Sequence, residues 1–133
     1  MTYALDTNIV SYFIREDKSV LTRFRAVLAM NNSIVIPPVT YYEIRRGFRH
    51  KEAHGKEQVF NRMCKLYPIG EMSLSIWECA AQLYADLRKA KRTVEDADIL
   101  IAAFCIVNGY TLVTHNTKHF EDIDELKVED WSA

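Results

Sequence analysis

Four residues with oxygen-bearing side chains stand at or just past the ends of segments that have a strand-like composition. They are widely spaced along the chain: Asp6, Glu43, Asp98 and Asn116. In a parallel α/β sheet the carboxyl ends of the strands lie along one edge, so these side chains would be brought together there. Carboxylates that lie close together repel one another unless a divalent cation neutralises them. The pattern therefore predicts Mg²⁺- or Mn²⁺-dependent phosphodiester chemistry.

Each position also has an explanation that needs no ligand. Asp6 can cap the helix that follows it, a role that contributes about 0.5–2 kcal/mol to stability. Thr40 and Glu43 have the spacing of a capping box, in which the glutamate accepts a hydrogen bond from the threonine backbone amide. Asn116 has the position of a loop residue that stabilises a turn. Separate capping roles do not explain why all these residues follow strand ends, and this favours a shared site.

Asp98 is the hardest of these residues to explain by capping. Thr93 and Asp96 have the spacing of a helix cap by themselves, which leaves Asp98 without a capping role. Asp98 immediately precedes the apolar segment 99–103, and an unpaired carboxylate buried there would be costly. A metal ion is one possible partner, and a neighbouring Arg or Lys is the other.

Short apolar or β-branched runs alternate with amphipathic helical patterns along the chain. Residues 3–5, 34–36 and 111–114 predict strands, and 67–69 and 126–128 are further candidates. Such alternation is typical of a parallel sheet covered by helices. The sequence therefore predicts a single α/β domain over the whole chain, with three layers and a central, mostly parallel sheet of four to five short strands flanked by helices.

Capping patterns predict several helix boundaries. Ser75 and Glu78 have the capping-box spacing at the start of a long helix. Thr93 is the predicted start of the next helix, and Asn108-Gly109 is its predicted end.

The composition excludes several classes of protein. The 133 residues are 49% hydrophobic and 26% charged, which is ordinary for a globular domain. The sequence shows neither a signal-peptide pattern nor an apolar run long enough to cross a bilayer. Three cysteines without a Cys-x-x-Cys pair predict reduced thiols rather than a disulfide scaffold or a zinc ribbon. We therefore expect a cytoplasmic protein that does not associate with membranes.

The overall charge gives no argument for nucleic-acid binding, since the net charge is −1 and the pI is about 6.4. Basic side chains nevertheless flank the acidic residues in sequence. They are Arg45, Arg46, Arg49, Lys51 and Lys56 after Glu43, and Arg88, Lys89, Lys91 and Arg92 before Asp98. Binding of RNA phosphates and simple solvation of helix ends are equally good explanations for them.

Two histidine pairs have the i,i+4 spacing of metal ligands on one helix, His50 with His54 and His115 with His119. The first pair lies in a polar, charged segment without an evident third ligand. A solvated surface is the expected role, with zinc binding as the alternative.

The ordered set of motifs resembles the PIN-domain ribonucleases, and within them the VapC toxins of bacterial type II toxin–antitoxin systems. The matching stretches are Leu5-Asp6-Thr7-Asn8, Thr40 and Glu43 before Gly47, Asp98 with Ile101-Ala102-Ala103, and Thr111 to Asn116 running on to Phe120. The closing Glu129-Asp130-Trp131 is also similar to the end of many such toxins. Together these stretches extend over essentially the whole chain.

The resemblance implies roles for the acidic residues. Asp6, Glu43 and Asp98 would be the core acids of the metal site, with Asp6 and Asp98 as direct ligands of Mg²⁺ or Mn²⁺. Glu43 would orient or deprotonate the attacking water. Asn116 stands where many PIN domains have a fourth Asp, and this departure argues against a second, tightly held metal ion. Second-choice ligands are Glu95, Asp96 and Asp122.

The resemblance also implies a function, a metal-dependent endoribonuclease toxin that inhibits translation and is neutralised by a cognate VapB-like antitoxin. Hydrolysis by water would leave a 5′-phosphate and a 3′-hydroxyl. The substrate would be single-stranded RNA or an RNA loop, with the anticodon loop of initiator tRNA as one candidate. A homodimer is implied, with the helices from Asn8 to Met30 and the apolar helix faces near Glu43 as candidate surfaces.

Two alternative functions stay open at this point. The first is a PIN-like RNA-binding or scaffold protein that has lost activity, a hypothesis suggested by the departure at Asn116. The second is a metal-dependent phosphatase of small substrates, although the first strand lacks an Asp-x-Asp nucleophile pair.

Overall fold

A central sheet of four parallel strands organises the molecule, whose computed structural model describes residues 1–132. In spatial order the strands are β2 (Ser33–Val35), β1 (Thr2–Leu5), β3 (Thr111–Val113) and β4 (Val128–Glu129). The central strand β1 pairs Ala4 with Val35 on one side and with Leu112 on the other. Because the strands are parallel, their carboxyl ends lie along one edge and the chain must cross over between them.

Helices provide most of these crossovers. They are α1 (Thr7–Ile14), α2 (Lys18–Ala29), α3 (Pro38–His50), α4 (His54–Leu66), α5 (Leu74–Lys89) and α6 (Asp96–Asn108). A short 3₁₀ helix, Thr117–Phe120, follows β3.

The alternation of side chains along the strands divides the interior into two hydrophobic cores. Leu5 and Val113 pack into the core formed with α1 to α4, whereas Ala4, Val35 and Leu112 pack into the core formed with α5 and α6. Successive residues of a strand point to opposite faces, so helices must cover both faces of a sheet built from such apolar strands. The predicted three-layer α/β fold with a parallel sheet is confirmed.

Two predicted helix starts are wrong. The long helix α5 is capped by Ser73, whose hydroxyl oxygen accepts a hydrogen bond from the Ile76 amide at 3.3 Å, so the pattern at Ser75 lies inside the helix. Helix α6 begins at Asp96, after Glu95, and no side chain caps it. Several capping residues stand close together at both places, and spacing alone does not choose among them.

Other boundaries agree with the sequence more closely. Gly109 ends α6 in the left-handed conformation, with φ of 71°, as the predicted end of this helix requires. The candidate strand at 67–69 forms only a parallel bridge between Ile36 and Ile69. The candidate at 126–128 lies slightly before the observed edge strand β4.

The three cysteines are free thiols, as predicted: Cys64, Cys79 and Cys105. Burial, reinforced by the negative charge of Asp6, raises the pKa of the Cys105 thiol far above its ordinary value. No helix within residues 1–132 combines the length and the apolar character needed to span a bilayer.

Trp131 closes the core on the side of α1 and α2. Its side chain is fully buried, and its ring centroid lies 5.3 Å from that of Tyr3 and 6.3 Å from that of Phe24. Its indole nitrogen donates to Glu129 Oε1 at 3.1 Å, and its carbonyl accepts from the Ser19 hydroxyl at 3.0 Å. This one residue therefore connects the edge strand β4, the central strand and α2.

We predict that Trp131→Ala lowers the free energy of unfolding by about 3–5 kcal/mol, because it empties a large, fully buried volume. Urea denaturation followed by circular dichroism measures the change. The matched control is Trp77→Ala, whose side chain on α5 is 49% exposed and which should have a much smaller effect. Equal losses in the two variants would contradict the anchoring role of Trp131.

Candidate active site

The most buried carboxylate of the candidate site stands between β1 and α1. Asp6 is 5% exposed, and its backbone amide donates to the Val113 carbonyl at 2.9 Å, which extends the pairing of β1 with β3. Its Oδ1 accepts a hydrogen bond from the Thr7 backbone amide at 2.8 Å, so Asp6 is the N-cap of α1. The predicted capping role is thus confirmed. The capping hydrogen bond uses Oδ1, and Oδ2 remains available for contacts with the end of the neighbouring strand.

Side chains from two strand ends hold the second oxygen of Asp6. The Thr114 hydroxyl donates to Asp6 Oδ2 at 2.7 Å, and the Asn8 side-chain amide donates to it at 3.3 Å. Asn8 Oδ1 accepts from the His115 backbone amide at 3.0 Å, and Thr114 Oγ1 accepts from the Asn116 backbone amide at 3.0 Å. This network joins the segments that follow β1 and β3, and it fixes the orientation of the carboxylate.

Thr40 attaches α3 to the same edge of the sheet. Its buried hydroxyl donates to the Leu5 carbonyl at 2.9 Å. Helix α3 begins at Pro38, a residue well suited to a first helical position because it has no backbone N–H to satisfy. Thr40 therefore lies inside the helix, and the capping-box explanation for Glu43 is wrong.

Glu43 lies one turn after Thr40 and meets the start of α1. The Thr7 hydroxyl donates to Glu43 Oε1 at 2.6 Å, a short charge-assisted hydrogen bond. Arg46 Nη2 lies 3.6 Å from Glu43 Oε2. Since Thr7 adjoins Asp6 in sequence, its hydroxyl links the positions of the two carboxylates.

Asp98 lies in the first turn of α6, with 17% of its side chain exposed. Because α6 follows another helix and Glu43 lies inside α3, the prediction that these two acids stand at strand ends is wrong. Burial raises the pKa of Asp98, and the negative charge of Asp6 raises it further. His119 partly opposes this increase in pKa, because its Nδ1 lies 3.1 Å from Asp98 Oδ2. The pKa of Asp98 therefore responds to the charge of Asp6 as well as to burial.

Asn116 is less closely connected to the acids than the sequence predicts. It is exposed at the start of the 3₁₀ helix, and within residues 1–132 its side chain makes no hydrogen bond. Only its backbone amide, through Thr114, joins the network around Asp6. A ligand role for its side chain stays a prediction.

The donor set fits a divalent cation that prefers oxygen ligands. In the described part of the chain, Asp6 has no Lys, Arg or His within ion-pair distance, and every donor to its carboxylate is neutral. No group of three His, Cys, Asp or Glu side chains within residues 1–132 is arranged to hold a metal ion. A role of Asp6 and Asp98 as ligands of such an ion, completed by water molecules, stays a prediction.

The histidine pairs do not form helical metal sites. His50 ends α3 and His54 begins α4, so this pair is not on one helix. His115 Nδ1 lies 2.7 Å from Ser132 Oγ, whereas His119 contacts Asp98. The contact of His119 with Asp98 is a feature of the site that the sequence analysis missed.

Comparisons with known proteins show the family to which the chain belongs. Residues 3–126 match the model of the PIN domain family. The chain belongs to the PIN domain family. This PIN domain is similar to Ribonuclease VapC1 of Haemophilus influenzae strain R2866, with 28% identity over 99% of each chain. It is also 27% identical to the tRNA(fMet)-specific endonuclease VapC of Shigella flexneri, again over 99% of each chain.

The fold of this PIN domain has a close counterpart among solved structures. The structure of VapBC2 from Rickettsia felis, bound to a DNA fragment from their promoter, matches it with a TM-score of 0.91 and 28% identity. The match covers 98% of this chain and 99% of the other. The resemblance stated from the sequence is therefore confirmed, for both the family and the fold.

We predict that Asp98→Asn raises the Tm of this PIN domain at neutral pH in the presence of EDTA. Folding raises the pKa of Asp98, so the ionised carboxylate destabilises the folded state when the pH is above both the folded and the unfolded pKa. When the pH is below both values, the carboxyl group is protonated in both states and has no such effect. The Tm advantage of the variant should therefore shrink as the pH falls from above the folded pKa to below the unfolded pKa. Differential scanning calorimetry over a pH series measures it.

Asp96→Asn is the matched control for this experiment, because Asp96 is exposed in the same first turn of α6. It should change the Tm less than Asp98→Asn does. A lower Tm for Asp98→Asn at neutral pH would show that the carboxylate does not carry the unfavourable charge inferred here.

We predict that Thr114→Val lowers the free energy of unfolding by about 1–3 kcal/mol, because a nearly buried carboxylate loses its shortest side-chain donor. Chemical denaturation measures the loss. The control is Thr111→Val, at a buried position of β3, the strand that Thr114 follows; the Thr111 hydroxyl makes no hydrogen bond within residues 1–132. Equal destabilisation by Thr111→Val and Thr114→Val would contradict a stabilising role for the hydrogen bond from Thr114 to Asp6.

Proposed function

We propose that this PIN domain is a metal-dependent endoribonuclease that acts as the toxin of a toxin–antitoxin pair. The observation that carries the proposal is that the nearly buried Asp6 has no cationic partner within the described residues and that its charge acts on Asp98. Carboxylates kept together in this way favour a divalent cation. Two full-length relatives, named as a ribonuclease and as an endonuclease, support RNA as the substrate.

The proposed mechanism divides the work between the acids. Asp6 and Asp98 would hold Mg²⁺ or Mn²⁺, which when bound polarises the phosphodiester and lowers the pKa of a coordinated water. Glu43 orients or deprotonates the attacking water, and the Thr7 hydroxyl, 2.6 Å from Glu43 Oε1, keeps its carboxylate in place. The hydrogen bond from Thr114 keeps Asp6 oriented toward the site. Water attacks the phosphorus, and the products are a 5′-phosphate and a 3′-hydroxyl.

The anticodon loop of initiator tRNA is the specific substrate that we propose. The support comes from the Shigella flexneri relative, which is named as a tRNA(fMet)-specific endonuclease. Cleavage of such a loop would inhibit translation, and we expect it to take place in the cytoplasm. Northern analysis of initiator tRNA after expression of the protein tests this choice.

A VapB-like antitoxin is the proposed partner. The VapBC2 structure from Rickettsia felis, which matches the whole fold, supports this proposal. A short reading frame next to the gene, with a DNA-binding N-terminus and a basic tail, would encode the expected protein. Its co-expression should relieve toxicity and yield a complex on size-exclusion chromatography.

A homodimer stays a prediction. The segment from Asn8 to Met30 contains two large apolar side chains that are exposed, Leu28 and Met30, and Tyr42 is exposed near Glu43. Helix α5 exposes a further set, namely Leu74, Trp77 and Tyr84. Sedimentation measurements on variants of the two regions would identify the surface that is used.

We predict that Asp6→Asn and Asp98→Asn each reduce RNA cleavage at least about a hundredfold in Mg²⁺, since each removes a charge that holds the metal ion. Addition of EDTA should abolish cleavage by the wild type, and Mg²⁺ or Mn²⁺ should restore it. Gel analysis of an end-labelled RNA measures both effects. Asp96→Asn, which changes an exposed acid of the same helix turn as Asp98, should retain activity.

The outcomes separate the proposal from its two alternatives. RNA binding without cleavage under all metal conditions would support an inactive scaffold. Hydrolysis of a phosphomonoester with no effect on RNA would support a phosphatase. Undiminished growth arrest on expression of Asp98→Asn would rule out the metal-dependent mechanism.

A further inference from the structure

A groove of about 410 Å³ adjoins the candidate active site. It lies along α1 and α3 and reaches the start of α4, and Thr7 and Glu43 are among its lining residues. Its apolar lining comes from Ile14, Ile44 and Phe48. The groove is therefore continuous with the site, and its apolar part offers a surface for a flat, uncharged group.

The same groove has a positively charged rim. Its basic lining residues are Arg15, His50, Lys51 and Lys56. Arg15, Lys51 and Lys56 are exposed, and within residues 1–132 none of them forms an ion pair with Asp or Glu. Among the described residues, Glu43 is the only acid that lines the groove. Such a rim lacks counter-charges within the described chain, and it complements a polyanion.

Gly47 provides a second, independent observation. It lies inside α3 and lines the groove, and a Cβ atom added there would meet no heavy atom within 4 Å. Glycine within a helix is less favourable than alanine by about 0.5–1 kcal/mol. Neither packing nor a positive φ explains its presence in this helix. The missing side chain leaves the backbone of α3 open to close approach by another molecule.

We propose that this groove binds the nucleotide next to the scissile phosphate of the RNA, an inference that rests on the proposed function. The base packs against Ile44 and Phe48 and over Gly47, while the adjoining phosphates lie between Arg15 and the lysines Lys51 and Lys56. Bases stack on apolar and aromatic surfaces, and cations neutralise phosphates. An apolar polypeptide would fit the lining but would leave the charges of the rim without partners.

The first test measures binding of a fluorescein-labelled single-stranded oligoribonucleotide by fluorescence anisotropy over a series of salt concentrations. Every protein carries Asp98→Asn, so that cleavage is blocked. The double variant Lys51→Ala/Lys56→Ala should bind severalfold more weakly, and the slope of log K against log salt should decrease by about 0.7 for each phosphate that the variant no longer neutralises. The control Lys65→Ala/Lys127→Ala removes two exposed lysines outside the groove, and it should preserve the slope.

The second test uses Gly47→Ala, for which the inference predicts opposite effects on stability and binding. Alanine should raise the Tm, because it favours the helix and meets no steric obstacle. It should also weaken RNA binding severalfold, because the methyl group narrows the groove. Gly55→Ala is the matched control, since this glycine of α4 also has open space around it but does not line the groove.

The outcomes distinguish this inference from the proposed function. If the wild type cleaves RNA but the groove variants bind it like their controls, the groove inference alone is overturned. If the wild type neither binds nor cleaves RNA, the proposed function fails and the inference fails with it. Groove variants that no longer bind a co-expressed antitoxin yet keep full RNA affinity and salt dependence would identify a protein-binding groove, which also overturns the inference.

Discussion

Asp6 is nearly buried, and its negative charge acts on Asp98, which is itself largely buried. This interaction is unfavourable by itself, since burial and the charge of Asp6 both raise the pKa of Asp98. The chain offsets part of this cost locally. Neutral donors surround Asp6, His119 contacts Asp98, and the N-terminus of α6 favours a nearby negative charge. These contacts do not neutralise the negative charge of the two carboxylates completely, and a divalent cation would neutralise the remainder.

The parallel sheet provides the rigidity that this arrangement requires. Asp6 follows the central strand β1, and Thr114, which donates to its carboxylate, follows the neighbouring strand β3. Asn8 ties the same two strand ends together through the His115 backbone amide. Thr40 fixes α3 to the carbonyl at the end of β1 and so places Glu43 one turn later within reach of Thr7. Asp6 and Thr114 directly follow the two adjacent strands β1 and β3, each of which is paired on both sides within the sheet.

The charge distribution around the site explains how a slightly acidic protein is compatible with a polyanionic substrate. Some arginines of the described residues are paired with acids, as Arg45 and Arg49 are with Glu57. Those on the rim of the groove beside Glu43 are not. Local potential in a concave surface therefore matters more for binding than the net charge of the chain.

The sequence by itself determined the architecture, because short apolar strands that alternate with helices require a parallel sheet covered on both faces. It also placed Asp6 correctly at the end of β1, whereas Asp98, expected past a strand end, lies in α6. Local signals were equally sufficient where a feature depends on adjacent residues, as in the capping of α1 by Asp6 and the end of α6 at Gly109. Alternation and capping depend on neighbours within about four positions, which a linear pattern contains.

Only the tertiary structure decided which of several similar residues makes which contact. Thr40 had the spacing of a cap for Glu43, yet its hydroxyl bonds to the carbonyl of Leu5, 35 residues away. His119 was one member of a supposed helical pair, but it contacts Asp98 across 21 positions. Asn116 had the sequence position of a ligand, and its side chain stays exposed. Such contacts depend on how strands and helices pack in space, and the spacing of residues along the chain does not specify that packing.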